Sequence, residues 1–162
     1  MNKTTEITIE CSTIVNASVD LVWYAWTISE RVSEWFAPEA VIDTRIGGAF
    51  ELYFIPGDTT SMNTRGCKII NLIEKEFLEF SWKGPDPFDS LMNKADALTT
   101  VRVQLEKIDI ENTKIIIRHD GFNDKESWKE ALEWHHSAWT DVLRSLKSSL
   151  EKGKGNLCCQ PI

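Results

Sequence analysis

Aromatic and apolar residues recur at three- and four-residue steps from Ser127 to Leu150, near the C-terminal end of the chain. This spacing predicts one long amphipathic helix, because a helix brings every third and fourth residue to the same face. At ~1.5 Å per residue this helix would be about 36 Å long, enough to cross a small domain. We expect the rest of the chain to supply a broad apolar surface for this stripe. Its members are Trp128, Leu132, His135, Trp139, Val142, Leu143, Leu146 and Leu150.

The N-terminal part of the chain predicts one strand followed by two short helices. Alternating residues favour a strand over Glu6 to Val15. A first helix is predicted over Val19 to Trp26 behind Ser18. A second is predicted through Arg31 to Trp35 behind Ser29. Both serines are expected to act as N-caps, since a serine oxygen accepts readily from the first free amide groups of a helix.

From residue 40 to residue 120 apolar and polar residues alternate, as they do in strands that bury one face. Glycine and proline clusters between the alternating runs predict hairpin turns. The polar segment 83–98 is too long for a hairpin turn, and we interpret it as a lid loop. The predicted strands are Ala40–Arg45, Ala49–Ile55, Thr64–Ile73, Phe77–Trp82, Thr100–Glu106 and Thr113–Asp120.

This order of elements predicts an α+β fold, in which a curved antiparallel sheet of about six or seven strands wraps around the C-terminal helix. Only that helix is long enough to cover the buried face of such a sheet. A length of 162 residues fits a single domain. Residues from about 153 to 162 are expected to form a flexible tail.

Composition narrows the possible partners. The net charge of −7, without a cluster of Lys and Arg, argues against nucleic acid. The chain has no run of eighteen apolar residues and no signal-like start, so we expect a cytoplasmic protein without a membrane partner. Cys11 and Cys67 are interpreted as small buried residues, and Cys158 and Cys159 as exposed thiols in the tail. We expect no cofactor and no metal, because no ligand spacing typical of zinc occurs.

Short fragments spread over nearly the whole chain are weak singly and distinctive together. They are VWYAWT at 22–27, SEWFAP at 33–38, IGGAF at 46–50, RG at 65–66, FSW at 80–82, the stretch from 113 to 122, and AW, VL and LK at 138–139, 142–143 and 146–147. In order and spacing they resemble the START-like, or SRPBCC, superfamily, also called the helix-grip or Bet v 1-like fold. Within it they are most similar to the branch of heat-shock-protein-90 ATPase activator homologues.

The resemblance implies a hydrophobic cavity between the sheet and the long helix, with the short helices and loops around its mouth. The superfamily includes lipid and hormone binders, polyketide cyclases and oxygenase subunits, so it does not imply one activity. A closed aromatic core is the alternative to a cavity. The residues predicted to face this space are Trp26, Trp35, Phe50, Phe54, Phe80, Trp82, His119, Phe122, Trp128, His135 and Trp139.

Catalytic residues are harder to find. His119 falls on the inward face of the last strand, either as a buried imidazole with a backbone or hydroxyl partner or as a group that contacts a ligand. His135 and His136 cannot both face one metal, since neighbouring helix residues are about 100° apart. By alternation Glu51, Glu79 and Glu106 point to solvent. We therefore assign no catalytic residue.

Three functions are compatible with these patterns. The first is non-catalytic binding of a small apolar or aromatic molecule in the cavity. The second is a cyclase- or hydrolase-like enzyme that uses His119 or His135 with ordered water. The third is a module that docks a protein partner, such as a chaperone, through its acidic surface. The sequence leaves both a monomer and a homodimer possible.

Overall fold

The computed structural model describes residues 5–155 of the chain, which excludes Cys158 and Cys159. The order of strands and helices along these residues is the predicted one: a strand, two short helices, a series of strands and a long C-terminal helix. In chain order they are β1 (Glu6–Val15), α1 (Val19–Thr27), α2 (Ser29–Trp35), β2 (Glu39–Ile42), β3 (Phe50–Tyr53), β4 (Ile69–Ile73), β5 (Phe77–Trp82), α3 (Asp89–Met92), β6 (Thr99–Lys107), β7 (Thr113–Asn123) and α4 (Lys129–Lys152).

Five strands form one antiparallel sheet in the order β1-β7-β6-β5-β4, and β2 pairs with β3 in a second ladder. A bridge between Ala49 and Lys68 joins the two ladders. The predicted α+β fold, an antiparallel sheet with a long C-terminal helix, is confirmed. The predicted strand over 64–73 is shorter than expected, because Gly66 adopts φ +88° and the amide of Cys67 turns back to the carbonyl of Thr64.

Helix α4 packs against the sheet through the predicted stripe. Its buried side includes His135, Trp139, Val142, Leu143 and Leu146. The helix begins two residues later than predicted, because Glu126–Trp128 form a 3₁₀ turn before it. It ends at Lys152 and is capped by Gly153, whose φ of +74° lets its amide donate back to the carbonyl of Ser149.

The two serines proposed as N-caps behave differently. Ser18 caps α1 as predicted, since its Oγ accepts from the amide of Leu21 at 3.3 Å. Ser29 is not a cap and lies inside α2 as its first residue. Its Oγ instead accepts from the amide of Ile42 at 3.0 Å, which ties α2 to β2. The hydroxyl thus joins two elements where the sequence predicted a local helix cap.

Segment 83–98 is folded rather than irregular. It contains a 3₁₀ turn over Asp86–Phe88 followed directly by α3. The side chain of Asn93 makes two hydrogen bonds to the backbone of Gly84, at 2.8 and 3.0 Å, and closes the segment into a compact unit. This unit lies beside the C-terminal end of β5, where it borders the site described next.

Two cysteines, Cys11 and Cys67, lie within the described part of the chain. Cys67 is fully buried, and this burial raises the pKa of its thiol to about 11, so the thiol stays protonated at neutral pH. Cys11 is half-buried.

Within residues 5–155, no helix is both long and apolar enough to cross a lipid bilayer.

Candidate functional site

An apolar crevice lies between α4, the end of β5 and the loops that follow β3 and β5. The space between its walls measures about 440 Å³ with its open mouth included, but only about 20 Å³ can be reached by the centre of a water molecule. Since one buried water needs ~10–15 Å³ of such space, the crevice is closely packed. The crevice is lined by Phe36, Phe54, Met62, Asn63, Trp82, Lys83, Gly84, Pro85, Trp134, His135, Ala138, Trp139 and Val142.

Three aromatic side chains from different elements form the inner wall. Phe36 follows α2, Trp82 ends β5 and Trp139 lies on the buried side of α4. The ring centroids of Trp82 and Trp139 are 5.2 Å apart, and Phe36 lies 6.1 Å from Trp82 and 5.8 Å from Trp139. Contacts at these distances fix the rings against one another. The inner wall is therefore preformed by packing between sheet and helices.

Directly behind this wall, His119 forms a fully buried hydrogen-bonded cluster. The indole Nε1 of Trp139 donates to His119 Nδ1 at 2.9 Å, and Thr99 Oγ1 lies 2.8 Å from His119 Nε2. An indole N–H can only donate, so Nδ1 must be the acceptor. The neutral ring therefore carries its proton on Nε2 and donates it to the hydroxyl of Thr99. This matches the interpretation of His119 as a buried imidazole with a hydroxyl partner.

His135, one helical turn before Trp139, has the opposite tautomer. The indole Nε1 of Trp82 donates to His135 Nε2 at 3.2 Å. His135 Nδ1 lies 2.7 Å from the carbonyl oxygen of Ala131, which can only accept. The proton of the neutral ring is therefore on Nδ1. Both nitrogens of both histidines are thus engaged within the protein.

Burial keeps the two histidines neutral. Desolvation lowers the pKa of His135 to about 4, against a smaller opposing effect of its hydrogen bond to Ala131. Desolvation, followed by the effect of His135, lowers the pKa of His119 well below its usual value. The ring centroids are 5.3 Å apart, so a charge on one ring would oppose a charge on the other. Near neutral pH, both act as neutral hydrogen-bonding groups.

Neither histidine has a ring nitrogen that is free for proton transfer. A general base needs a free lone pair directed at its substrate, and both nitrogens of His119 and of His135 already have protein partners. Among the described residues, no Asp or Glu lines the crevice. In the described part of the chain, no three side chains of the types that bind metals lie close enough to hold an ion.

The structure brings only some of the predicted site residues to the crevice. Phe54, Trp82, His135 and Trp139 line it. The other predicted residues pack behind or away from its walls, and their contact with a ligand stays a prediction. These are Trp26, Trp35, Phe50, Phe80, His119, Phe122 and Trp128.

Packing explains why these residues lie elsewhere. Phe50 and Phe80 stack on each other with centroids 3.7 Å apart, which fills the space between their strands. Trp26 packs edge-on against Phe36 and does not line the crevice. Trp128 is half-buried in the 3₁₀ turn before α4. Alternation predicts which face a side chain takes but not its depth within that face.

Several residues that line the crevice were not predicted from the sequence. Trp134 and Ala138 precede Val142 by eight and four residues, so they form a second helix stripe beside the predicted one. That spacing was available in the sequence. Met62 reaches the crevice from an irregular loop at φ +48°, for which no periodic signal exists.

The curved sheet, the long helix and the crevice between them define a helix-grip α+β protein. The chain belongs to the family described as activator of Hsp90 ATPase homolog 1-like protein, whose family profile matches residues 16–151. A search of curated proteins found no match.

Solved structures with the same fold span nearly all of this chain. The Aha1 dimer from Colwellia psychrerythraea has a TM-score of 0.72 at 20% identity, covering 92% of this chain and 99% of its own. PFC0360w, an HSP90 activator from Plasmodium falciparum, has a TM-score of 0.67 at 17% identity, covering 91% and 96%. DynU16, from the dynemicin biosynthetic locus, has a TM-score of 0.70 at 20% identity, covering 91% and 48%. At these identities the similarity establishes the fold alone.

Proposed function

We propose that this protein binds a small hydrophobic or aromatic molecule in the crevice, without catalysis. The supporting observation is the lining itself, which combines rings from α4, β5 and the end of α2 and, within residues 5–155, contains no carboxylate. Apolar, aromatic-lined concavities with few polar groups are typical of small-molecule sites. Both histidines near the crevice are neutral and fully paired, which favours holding a ligand over transforming it.

Ligand entry requires one wall to move, because the unliganded crevice has space for little more than a water. Met62 is the movable wall in this proposal, since it is an unbranched side chain on a surface loop. The carboxylate of Asp86 accepts from the amide of Met62 at 3.2 Å and holds that loop against segment 83–98. Breaking this exposed contact would let the loop move away from α4. In this proposal the Met62 loop is the moving part, and segment 83–98, which the sequence predicts as a lid, holds it closed through Asp86.

Native mass spectrometry of the protein purified gently from its own host tests this proposal. We expect a bound small molecule in the wild type and its loss in Ala138→Phe, because the added ring would fill the crevice. Ser137→Phe is the matched control, since it adds the same ring to an exposed position one residue away. Equal ligand occupancy in the two variants, or a wild type that carries no molecule, would count against binding in the crevice.

The protein-partner function is a second candidate, supported by fold relatives described as an HSP90 activator and as a dimer. The net charge of −7 supplies an acidic surface for such docking. We expect capture of a chaperone of the Hsp90 class to weaken with added salt, because salt screens exposed charges. Light scattering after gel filtration would separate a monomer from a homodimer. Failure to capture the chaperone at low salt would exclude this candidate. A cytoplasmic location stays a prediction.

The enzymatic alternative has less support. It assigns proton transfer to His119 or His135, and each ring would first have to give up a hydrogen bond to an indole, a hydroxyl or a backbone carbonyl. In the described part of the chain, no lining carboxylate would stabilise the resulting imidazolium. Binding without turnover is therefore the function that we propose.

A further inference from the structure

The polar groups of the inner wall are already paired with each other. The indole N–H groups of Trp82 and Trp139 point to His135 and His119, respectively. The second nitrogen of His135 is engaged by the carbonyl of Ala131. Phe36, the third residue of the inner wall, has a hydrocarbon side chain. A ligand at this depth would therefore meet hydrogen-bonding atoms that have no capacity left for it.

The polar residues at the rim are paired or directed elsewhere too. The side-chain nitrogen of Asn63 donates to the carbonyl of Thr59, and its side-chain oxygen accepts from the backbone amide of Arg65. Both backbone groups of Gly84 are held by the side chain of Asn93.

The remaining polar side chains of the lining belong to Lys83 and Trp134, which are not part of the inner wall. The ammonium of Lys83 lies beside Gly66, which does not line the crevice. Trp134 is half-buried, and its indole N–H has no partner among residues 5–155. A free hydrogen-bond donor is therefore present on a lining residue that is not part of the inner wall.

We propose that the crevice accepts the hydrocarbon end of a ligand and rejects any ligand that must bury a hydroxyl, carbonyl or charge there. His119 and His135 set this specificity, because they occupy the indole N–H groups that a polar ligand would otherwise use. The inference rests on the proposed binding function and adds to it the chemical class of the ligand. A polar substituent of such a ligand would lie at the indole N–H of Trp134.

His135 gives the inference a variant with an unusual expected effect. In His135→Leu the acceptor of the Trp82 indole is removed, and its N–H becomes free to donate to a ligand oxygen. The variant should therefore bind a polar ligand better relative to an apolar one. His136→Leu is the matched control, since His136 is exposed and does not line the crevice.

Toluene and phenol are suitable probes, because they share a shape and differ by one methyl-to-hydroxyl exchange. Titrations would be followed by NMR through the indole N–H signals of Trp82, Trp134 and Trp139. For the wild type we expect toluene to bind at least about ten times more tightly than phenol, because the buried hydroxyl would lack a partner. In His135→Leu this ratio should fall by about threefold or more. In His136→Leu it should equal that of the wild type.

Each contrary result has a distinct meaning. Phenol that binds within tenfold of toluene in the wild type would overturn the specificity and leave hydrophobic binding intact. An unchanged ratio in folded His135→Leu would overturn the role of the histidines. If neither probe moves the three indole signals, the proposed function itself fails. The wild-type comparison decides the specificity even if His135→Leu does not fold.

Discussion

Acidification should destabilise this protein through His119 and His135, which are buried as neutral rings. In the unfolded chain a histidine binds its proton near pH 6.5, whereas folded His135 does so only at about pH 4. Between these values the unfolded state binds more protons, so the free energy of unfolding falls as the pH falls. The stabilisation is complete above pH 6.5 and is lost on approach to pH 4.

The structure also sets the size of this effect. A pKa displaced from 6.5 to about 4 corresponds to ~3 kcal/mol for His135. About 2 kcal/mol of that would be lost by pH 5. His119 acts in the same direction, because its pKa is also lowered. These losses are a large fraction of the roughly 5–15 kcal/mol that stabilises a typical domain.

Urea denaturation followed by circular dichroism at pH 7, 6 and 5 would measure the effect. His135→Gln removes the titrating group but keeps an acceptor for Trp82 and a donor for the Ala131 carbonyl. We expect its free energy of unfolding to depend less on pH than that of the wild type, by up to ~1.4 kcal/mol per pH unit. His136→Gln, an exposed histidine on the same helix, is the control. A His135→Gln variant with the full wild-type pH dependence would refute the reasoning.

Three other changes test separate contacts. Trp139→Phe should lower the free energy of unfolding by about 1–3 kcal/mol, since it leaves His119 Nδ1 unpaired. Trp134→Phe breaks no hydrogen bond within residues 5–155, so its free energy of unfolding should fall by less in the same urea titration. Gly121→Ala should destabilise by about 1–3 kcal/mol, because its φ of +104° suits only glycine, and a thermal midpoint equal to that of the wild type would contradict this. Asp86→Ala should speed association of toluene in NMR exchange measurements, since the facing loop loses its tether; an unchanged rate would show that the loop does not gate entry.

The main elements of the fold could be predicted because they depend on periodicity. The stripe on α4 and the alternation in β5, β6 and β7 each bury one face, and burial is what the apolar pattern records. The N-cap at Ser18 could be predicted for a similar reason, since capping is local. Ser29 could not, because its partner Ile42 is thirteen residues away. The single-domain organisation and the flexible tail stay predictions.

The candidate site was only partly predictable, because depth is a tertiary property. Phe80 and Trp82 share one face of β5, yet Phe80 stacks on Phe50 while Trp82 reaches the crevice. The volume of the crevice depends on rotamers and on the position of Met62, which no pattern encodes. The tautomer of His119 is set by the donor-only indole of Trp139 on α4, and that of His135 by the donor-only indole of Trp82 on β5 and the acceptor-only carbonyl of Ala131.

The two indole–histidine bonds have a mechanical consequence for the helix. Each joins α4 to the sheet, Trp82 to His135 and Trp139 to His119, at points four residues apart on the helix. Apolar contacts tolerate sliding, whereas two directional bonds one turn apart fix both the rotation and the axial position of a helix. The distance between sheet and helix at this point is therefore set by these bonds as well as by side-chain packing. A chain with leucine at both histidine positions would keep its apolar core. It would lose the two hydrogen bonds that fix the position of α4 relative to the sheet.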